Sequence, residues 1–518
     1  MQRPLSLLDG HGYAATWLHC KVTRTETVNK QGEVVILNPP RVTHERKLFV
    51  VRDDGKVFGE GADAPMADLG VSVHLAEVPP ENRLWSARGV KQYRAGRRPD
   101  PLDVFAQVAD VVDHFLDFSR SIADQWTMVE MVACHVVGTY LLDAFNVVGF
   151  LWPNGHRGSG KTQLLLVHTE LSYLGQVILA GGSYASLRDL ADYGATLGFD
   201  DAENIRDFKR FDPDKRALLL AGNRRGAVIS VKEPDGNRGW RTRYVNAYTT
   251  RLFSAISLPD PVLASRTIVV PLIRTTDRKK ANSQPLDHGQ WPHDRRQLID
   301  DLWATGLAHL ATVGQYDEMV AQRARLAGRG LEPWRSILAV ALWLQDNGAE
   351  GLFDRMERLS WVYQRERSQL QTTDLTTLVI RGLCRCAISA ISAIKNGLHD
   401  EKFWVLTVAE ITTSLKRIAE EDDLNRDAIT NRKVGGVLSQ MRFEKEPRPG
   451  GRGSRLWKVT LHELQHWTRA YSLPLPPELA SLESNGTDGT DGTMAQMILT
   501  EESPPECEKD CLPARVGP

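Results

Sequence analysis

Gly155-His-Arg-Gly-Ser-Gly160-Lys161-Thr162 decides the fold class of this chain, because it matches the phosphate-binding loop pattern G-x-x-x-x-G-K-[ST] in full. Glycines let such a loop wrap closely enough for backbone N–H groups to face a phosphate, and the following helix adds its positive N-terminal end. Lys161 would reach the β- and γ-phosphates of ATP, and Thr162 would ligate Mg²⁺. The other predicted phosphate-binding residues are Gly155, Gly158, Ser159 and Gly160.

The residues on both sides of this loop favour a nucleotide site over a plain glycine turn. The apolar run VVGFLW (147–152) predicts a strand just before the loop, and TQLLLVHTEL (162–171) predicts a helix just after it. Further apolar runs alternate with helical segments up to about residue 275, which is typical of a parallel sheet between two layers of helices. We therefore expect residues 147–280 to form an α/β core, a three-layer P-loop ATPase with a parallel sheet.

A cluster of acidic residues follows the predicted strand that ends at Phe199. Asp200 is expected to hold Mg²⁺ through water, and a second carboxylate to polarise the attacking water. Both Asp201 and Glu203 are candidates for that second role, because Asp201 stands where a glutamate usually follows the metal-binding aspartate. The structural alternative is an acidic helix start that interacts favourably with the helix dipole.

Residues 227–246, AVISVKEPDGNRGWRTRYVN, predict two strands around a glycine-containing turn. Such a hairpin can bind single-stranded DNA if aromatic rings stack on the bases and basic side chains contact the phosphates. Trp240 and Tyr244 are the aromatic candidates. The basic candidates are Lys232, Arg238, Arg241 and Arg243. The alternative is an ordinary exposed hairpin with solvated charges.

An arginine stands between a short predicted helix and the last core strand, at Arg266. In ring ATPases an arginine in this place reaches the γ-phosphate held by the neighbouring subunit, where it stabilises charge in the transition state. Ser257, at the end of the run LFSAIS, is the candidate for a polar sensor. The alternative for Arg266 is a structural role in capping the preceding helix.

The rest of the chain divides by composition and periodicity into further regions. Residues 1–95 predict a small β-rich module with a hairpin turn at Asp54-Gly55, and residues 96–146 a helical linker or collar. Residues 281–400 predict a helical lid, residues 401–474 a winged-helix-like domain, and residues 475–518 a disordered acidic tail.

The predicted winged helix contains the elements that such a domain uses on DNA. Thr407–Glu410 is a capping box that opens a helix, Asn431–Gln440 a recognition-type helix with Arg432 and Lys433 as DNA contacts, and Arg448–Arg455 a basic wing. Winged helices also serve as protein contacts, so both uses remain open.

His462-Glu463-Leu-Gln-His466 is a formal match to the zinc-protease pattern H-E-x-x-H. Two histidines at i and i+4 share one helix face and can share a metal, with the glutamate as base. Against this, Leu464, Trp467 and Tyr471 follow at core spacing, and no third ligand is evident. We interpret the segment as a packed terminal helix.

Composition sets broader limits on the class of protein. The 518 residues carry 64 basic and 65 acidic side chains, so no overall field marks a nucleic-acid or membrane protein. Six cysteines in no metal-binding pattern favour a reducing cytoplasm. We expect a cytoplasmic protein with neither a secretion signal nor a membrane span.

The run from Gly155 to about residue 472 resembles a helicase-like ATPase domain of unknown function carried by phages, plasmids and integrated elements, often behind a primase module. The resemblance rests on Gly155–Thr162, FDDAE (199–203), LLLAGNRRGA (218–227), LPDPVLASRTIVVPLIR (258–274) and LEPWRSIL (331–338).

This resemblance implies an AAA+ core of the superfamily III-like type. We expect it to form a homo-oligomeric ring around DNA, with Arg266 completing the neighbour's pocket. It implies the replicative helicase of a mobile element, with ATP and Mg²⁺ as cofactors. Because no primase module is evident in residues 1–95, any primer would come from a separate primase. The alternative is a nucleotide-switched DNA-binding loader or regulator that does not unwind DNA.

Overall fold

The computed structural model describes residues 1, 3–73, 75, 81–178, 183–202, 212–236, 239–370, 375–393, 403–421, 426, 429–446, 456–471 and 473–483. The chain divides into two units, Met1–Gln371 and Thr372–Pro518. Within the described ranges no helix is long and apolar enough to span a membrane.

The first unit contains the following elements in chain order: β1 (Leu5–Leu8), β2 (His11–Val28), β3 (Val34–Arg52), β4 (Val57–Phe58), α1 (Ala87–Arg94), α2 (Pro101–Phe115), α3 (Gln125–Tyr140), β5 (Phe150–Asn154), α4 (Lys161–Leu171), β6 (Gln176–Ile178), α5 (Tyr184–Asp192), β7 (Leu197–Phe199), α6 (Pro213–Ala221), β8 (Val228–Pro234), β9 (Trp240–Asn246), β10 (Arg251–Phe253), α7 (Pro261–Ala264), β11 (Thr267–Pro271), α8 (Arg278–Asn282), α9 (Arg295–Arg323), α10 (Gly328–Leu331), α11 (Arg335–Asp346) and α12 (Leu352–Leu370). The second unit contains α13 (Leu375–Ala393), β12 (Phe403–Thr407), α14 (Val408–Glu421), α15 (Asn431–Gln440), β13 (Glu444–Glu446), β14 (Leu456–Thr460), α16 (Leu461–Ala470) and α17 (Pro477–Ala480).

The centre of the first unit is a parallel sheet of five strands in the order β11-β5-β10-β7-β6. Its strands are apolar runs because helices cover both faces, so that Phe150, Leu151 and Trp152 of β5 are almost completely buried. The predicted α/β fold with a parallel sheet is confirmed. Since all five strands run the same way, the loops after their carboxyl ends meet at one edge of the sheet.

Two buried ion pairs hold the carboxyl end of α4, the end farther from the phosphate-binding loop. In α4, the buried Glu170 forms ion pairs with Arg83, which precedes α1, and with Arg295 at the start of α9. Buried charges persist only when paired in this way, because an isolated carboxylate would bear the full cost of desolvation. The pairs therefore fix one end of α4 against two distant segments.

The N-terminal sheet, β1-β2-β3-β4, is antiparallel. Strands β2 and β3 pair from Tyr13↔Arg52 to Val28↔Val34, with an irregularity between Arg24 and Glu26. The first part of β2 is buried, whereas the distal half of the two-stranded arm is largely exposed, with Ile36 at 80%. The turn between β3 and β4 uses Gly55 at φ +90°, where a side chain would be strained.

The second unit packs helices on the antiparallel sheet β12-β14-β13. The predicted boundary at residue 400 assigned α13 to the preceding helical region; the structure instead buries its apolar stripe, including Ile380 and Leu383, in the core of this unit. Thr407 and Glu410 form the reciprocal bonds of a capping box at the start of α14. Residues 448–455, the predicted wing, lie outside the described residues.

The region predicted as a disordered tail from residue 475 begins with an ordered turn of helix. The structure continues through α17 because Leu479 is fully buried in the second core. Residues 484–518 lie outside the described part of the chain.

Candidate nucleotide site

The predicted phosphate-binding loop joins the carboxyl end of β5 to the first turn of α4. Gly158 and Gly160 adopt φ +79° and +90°, a left-handed conformation that glycine takes without steric cost. A Cβ on Gly155 would lie 2.2 Å from the carbonyl oxygen of Leu272, so only glycine fits there. Lys161 Nζ donates to the carbonyls of Gly155 at 2.8 Å and His156 at 3.0 Å, which keeps the ammonium over the loop.

Thr162 and Asp200 meet across the sheet edge, although 38 residues separate them in the sequence. The Thr162 hydroxyl donates to the two Asp200 carboxylate oxygens at 3.3 and 3.2 Å. Hydroxyl and carboxylate oxygens are the ligands that Mg²⁺ prefers, and Mg²⁺ typically takes one or two protein ligands and completes its shell with water and phosphate. This donor set therefore fits a magnesium ion.

A third polar residue in this cluster, Ser254, is one that sequence reasoning missed. It follows β10, the strand between β5 and β7, and its hydroxyl donates to Asp200 Oδ1 at 2.9 Å. Ser257, the predicted sensor, presents its backbone carbonyl to Trp152 Nε1 at 3.0 Å. Strand order could have identified Ser254, because a residue ending the strand between β5 and β7 must face both of their loops.

Of the two candidates for activating water, Asp201 and Glu203, the structure describes only Asp201. Asp201 is exposed and adopts φ +53°, which is uncommon for a residue with a side chain, and its N–H donates to Asp200 Oδ1 at 3.2 Å. The neighbouring Ala202 N–H donates to the Ser254 carbonyl at 2.8 Å, which fixes this turn to the end of β10. Glu203 lies outside the described residues.

Strands β8 and β9 form the predicted hairpin, and their alternation sorts its side chains onto two faces. One face carries Lys232, Trp240 and Tyr244, of which the two aromatic residues are 69% and 66% exposed. Lys232 Nζ donates to Thr242 Oγ1 at 2.8 Å, between the two rings on the same face.

The opposite face of the hairpin carries the paired arginines. Arg241 forms an ion pair with Glu233 at 2.7 Å, and Arg243 pairs with Asp192 of α5 at 2.6 Å. Arg243 thus anchors the hairpin on α5, which differs from the predicted phosphate contact. Arg238 lies outside the described residues.

Arg266 lies at the end of the sheet opposite to the one that carries the phosphate-binding loop of the same subunit. Its carbonyl accepts from Phe150 N–H at 3.0 Å, at the amino end of β5, whereas Gly155 follows the carboxyl end, roughly 16 Å away at 3.3 Å per residue. Burial, together with Arg329 nearby, lowers the pKa of the Arg266 guanidinium. Its Nη1 atom is buried and has no hydrogen-bond partner among the described residues.

In the second unit, Arg432 and Lys433 are exposed in the first turn of α15, which Thr430 caps. In α16, Glu463 accepts bonds from the Thr460 N–H and hydroxyl, both at 2.8 Å, as part of a capping box. His462 and His466 are exposed on this helix. The described residues contain no group of three or more side chains placed to hold a metal ion.

No protein-family model and no curated protein matches this sequence. Several solved structures show a distant likeness to this chain, and three of them illustrate its extent. The structure described as "SCCmec type IV Cch - active helicase" is 12% identical, with TM-score 0.34, covering 89% of this chain and 99% of that chain. The A-form apo structure of the NrS-1 C-terminal region is 8% identical, with TM-score 0.26, covering 70% of this chain and 76% of that chain.

The third, the structure of Drosophila ORC bound to DNA, is 9% identical, with TM-score 0.18, covering 78% of this chain and 97% of that chain. At TM-scores below 0.5 these likenesses are too low to establish a shared fold or a shared activity.

Proposed function

We propose that this chain is a Mg²⁺-dependent ATPase that moves on single-stranded DNA, the replicative helicase of a mobile element. The observation that carries the ATPase part is the contact between the Thr162 hydroxyl and the Asp200 carboxylate beside the loop that ends in Lys161. A phosphate-binding loop, a hydroxyl at the helix start and a carboxylate on a neighbouring strand are the parts that hold a nucleotide with its metal.

Each residue of this site has a separate chemical task. Loop N–H groups and Lys161 would neutralise the phosphates. Thr162 and Asp200 would hold Mg²⁺, which would stabilise the negative charge on the transferred γ-phosphoryl group and on the leaving ADP. Ser254 orients the Asp200 carboxylate by its hydrogen bond. Either Asp201 or Glu203 positions the attacking water.

Arg266 acts on a neighbouring subunit in this proposal. Its backbone lies at the amino end of β5, roughly 16 Å from the start of its own loop, so any nucleotide that it contacts would belong to another chain. A homo-oligomeric ring would bring each Arg266 to the next subunit's γ-phosphate, where a fixed guanidinium stabilises the transition state.

The hairpin face with Lys232, Trp240 and Tyr244 supports the DNA part of the proposal. Trp240 and Tyr244 are four residues apart on one strand, about 13 Å, and both rings are exposed to incoming bases. Arg241 and Arg243 are assigned to holding the hairpin, because their charges are already paired. The exposed Arg432 and Lys433 of the second unit are proposed as further phosphate contacts.

The resemblance of residues 155–472 to element-encoded helicase-like domains supports the biological setting, in which a separate primase makes the primers. Steady-state ATP hydrolysis by wild type and by Lys161→Ala, each with and without single-stranded DNA at low salt, tests the proposal. We expect wild-type turnover that DNA stimulates several-fold and no turnover by the variant.

Turnover that DNA does not change would favour a nucleotide-switched loader or regulator, and no turnover with intact folding would refute the ATPase. For the hairpin, Trp240→Ala combined with Lys232→Ala is expected to remove DNA stimulation, whereas the matched basic variant Arg241→Ala on the other face should retain it. Equal effects of both changes would refute the assignment of faces.

A further inference from the structure

We propose that Arg274, which follows β11, binds the phosphate groups of the nucleotide held by the loop of its own subunit. This rests on the proposed function only in taking residues 155–162 as a nucleotide site. Arg274 is the last residue of the run LPDPVLASRTIVVPLIR (258–274) and has no role in the assignments above.

The chain just before Arg274 is fixed directly to the phosphate-binding loop. The Leu272 N–H donates to the Asn154 carbonyl at 2.7 Å, the last residue before the loop. The Leu272 carbonyl occupies the space that a side chain on Gly155 would need. The position of this segment relative to the loop is therefore set by backbone contacts on its amino-terminal side.

The chain just after Arg274 is fixed to the helix that follows the loop. Gln163, next to Thr162, donates through Nε2 to Ser283 Oγ at 2.9 Å and to the Lys280 carbonyl at 3.2 Å. Thr275 donates to Asp117, which follows α2. Arg274 thus lies between two anchored points, which fix the position of its backbone relative to the loop.

The side chain of Arg274 lies against the loop at Gly158. Its Nε atom is 3.8 Å from the position of a Cβ on Gly158, which has no other atom within 4 Å of that position. Among the described residues, the exposed Arg274 guanidinium has neither a carboxylate nor a hydrogen-bond partner. By contrast, Lys161 in the same site already donates to two loop carbonyls.

Charge gives this arginine a specific ligand. ATP brings several negative charges to a loop whose fixed cation is Lys161, and planar guanidinium groups match phosphate oxygens with two parallel hydrogen bonds. A side chain with no role beyond solvation has no reason to lie beside the phosphate-binding loop. Arg274 instead lies next to Gly158, in a loop whose backbone N–H groups are proposed to bind the phosphates.

Arg274 and Arg266 lie at opposite ends of β11, so their roles separate. Arg274 belongs to the site of its own subunit, whereas Arg266 is roughly 16 Å away from that site along the strand. A change at Arg274 should therefore alter nucleotide affinity in every oligomeric state, including the isolated subunit.

The test is equilibrium titration of the full chain with fluorescently labelled ATP and ADP, each with Mg²⁺, for wild type, Arg274→Ala and Arg274→Lys. Arg278→Ala is the matched control, because Arg278 is also exposed and lies only four residues away on α8. We expect Arg274→Ala to weaken binding by roughly tenfold or more, as for the loss of a charge-assisted bond. Arg274→Lys should recover part of the affinity, since it keeps the charge and loses the fork.

Thermal unfolding without nucleotide separates binding from folding. The Arg274 variants should unfold at the wild-type temperature and show a smaller rise in that temperature when nucleotide is added. Wild-type affinity in Arg274→Ala, or an equal loss in Arg278→Ala, overturns the assignment of Arg274 alone. No nucleotide binding by wild type would instead refute the proposed function.

Discussion

Acidification is expected to destabilise the helix that follows the phosphate-binding loop, through a buried pair of histidines. His135 of α3 and His168 of α4 are fully buried, with His135 Nδ1 2.7 Å from His168 Nε2. His135 Nε2 donates to the Gly149 carbonyl at 3.1 Å, so its Nδ1 must accept from His168 when both rings are neutral. His168 Nδ1 then faces the Ser172 hydroxyl at 2.9 Å.

Burial lowers the pKa of His135 to about 4, and burial together with His135 lowers the pKa of His168. Below the ordinary histidine pKa of about 6.5, the unfolded chain therefore binds more protons than the folded one. The stability that the two neutral histidines contribute is therefore fully present above a pH of about 6.5, and it falls as the pH drops toward their pKa values in the folded state. A histidine that stays neutral in the folded state down to pH 5 contributes a loss of about 2 kcal/mol between pH 7 and pH 5, and the pair about 4 kcal/mol.

A loss of that size is a large part of the 5 to 15 kcal/mol or so that typically holds a domain folded. Guanidinium unfolding followed by tryptophan fluorescence, at pH 7 and pH 5, measures it. The double variant His135→Leu/His168→Leu removes both titrating rings, and its free energy of unfolding should change much less with pH. The half-buried His309, whose pKa burial also lowers, supplies a smaller remaining dependence on pH. Wild-type stability unchanged within about 1 kcal/mol, or an equal pH dependence in the double variant, would refute the reasoning.

Three further predictions concern the neighbouring subunit, the hairpin and the second unit. Mixing Lys161→Ala subunits with Arg266→Ala subunits should restore ATP hydrolysis that neither has alone, because some interfaces regain an intact loop and an intact arginine; activity of the mixture equal to that of its parts would contradict this. Arg243→Ala should lower the free energy of unfolding by about 1–2 kcal/mol, because it leaves the nearly buried Asp192 carboxylate without its cation. The expected loss is modest because Arg243 itself is partly exposed to solvent. An unchanged denaturation midpoint would argue against Arg243 as the anchor of the hairpin. Glu463→Ala should cost about 1 kcal/mol through the lost cap, and metal analysis should find wild type and variant equally free of stoichiometric zinc.

The sequence was sufficient to predict those parts of the candidate nucleotide site whose geometry the motif itself determines. The loop pattern places Lys161 and Thr162 at the start of a helix, and parallel strands must bring Asp200 to the same edge of the sheet. It was insufficient for Ser254, because one hydroxyl at a strand end has no distinctive spacing. The strand order, which depends on long-range pairing, is what brings Ser254 to Asp200.

The hairpin marks a second limit on sequence reasoning. Its alternation predicts two faces, but alternation alone does not tell which face packs on the protein. That choice depends on Asp192 of α5, about 50 residues earlier in the chain, which attracts Arg243 and leaves the Trp240 face to solvent. Basic residues on both faces therefore look equally suited to DNA in the sequence, and only the ion pairs distinguish them.

Strand β11 connects Arg266 and Arg274, the two arginines for which we propose contacts with nucleotide. It pairs with β5 without interruption from Thr267↔Phe150 to Pro271↔Asn154, so the ends of both strands keep a fixed separation. The proposed phosphate binding at Arg274 and at the loop would act on the carboxyl ends of this pair, while Arg266 lies at the amino end. A paired strand is stiff along its axis, because sliding by one residue would move every side chain to the opposite face. In a ring, the distance between a subunit's own nucleotide and the arginine it offers to its neighbour would therefore be set within one subunit, and only the contact between subunits would change as ATP is bound and hydrolysed.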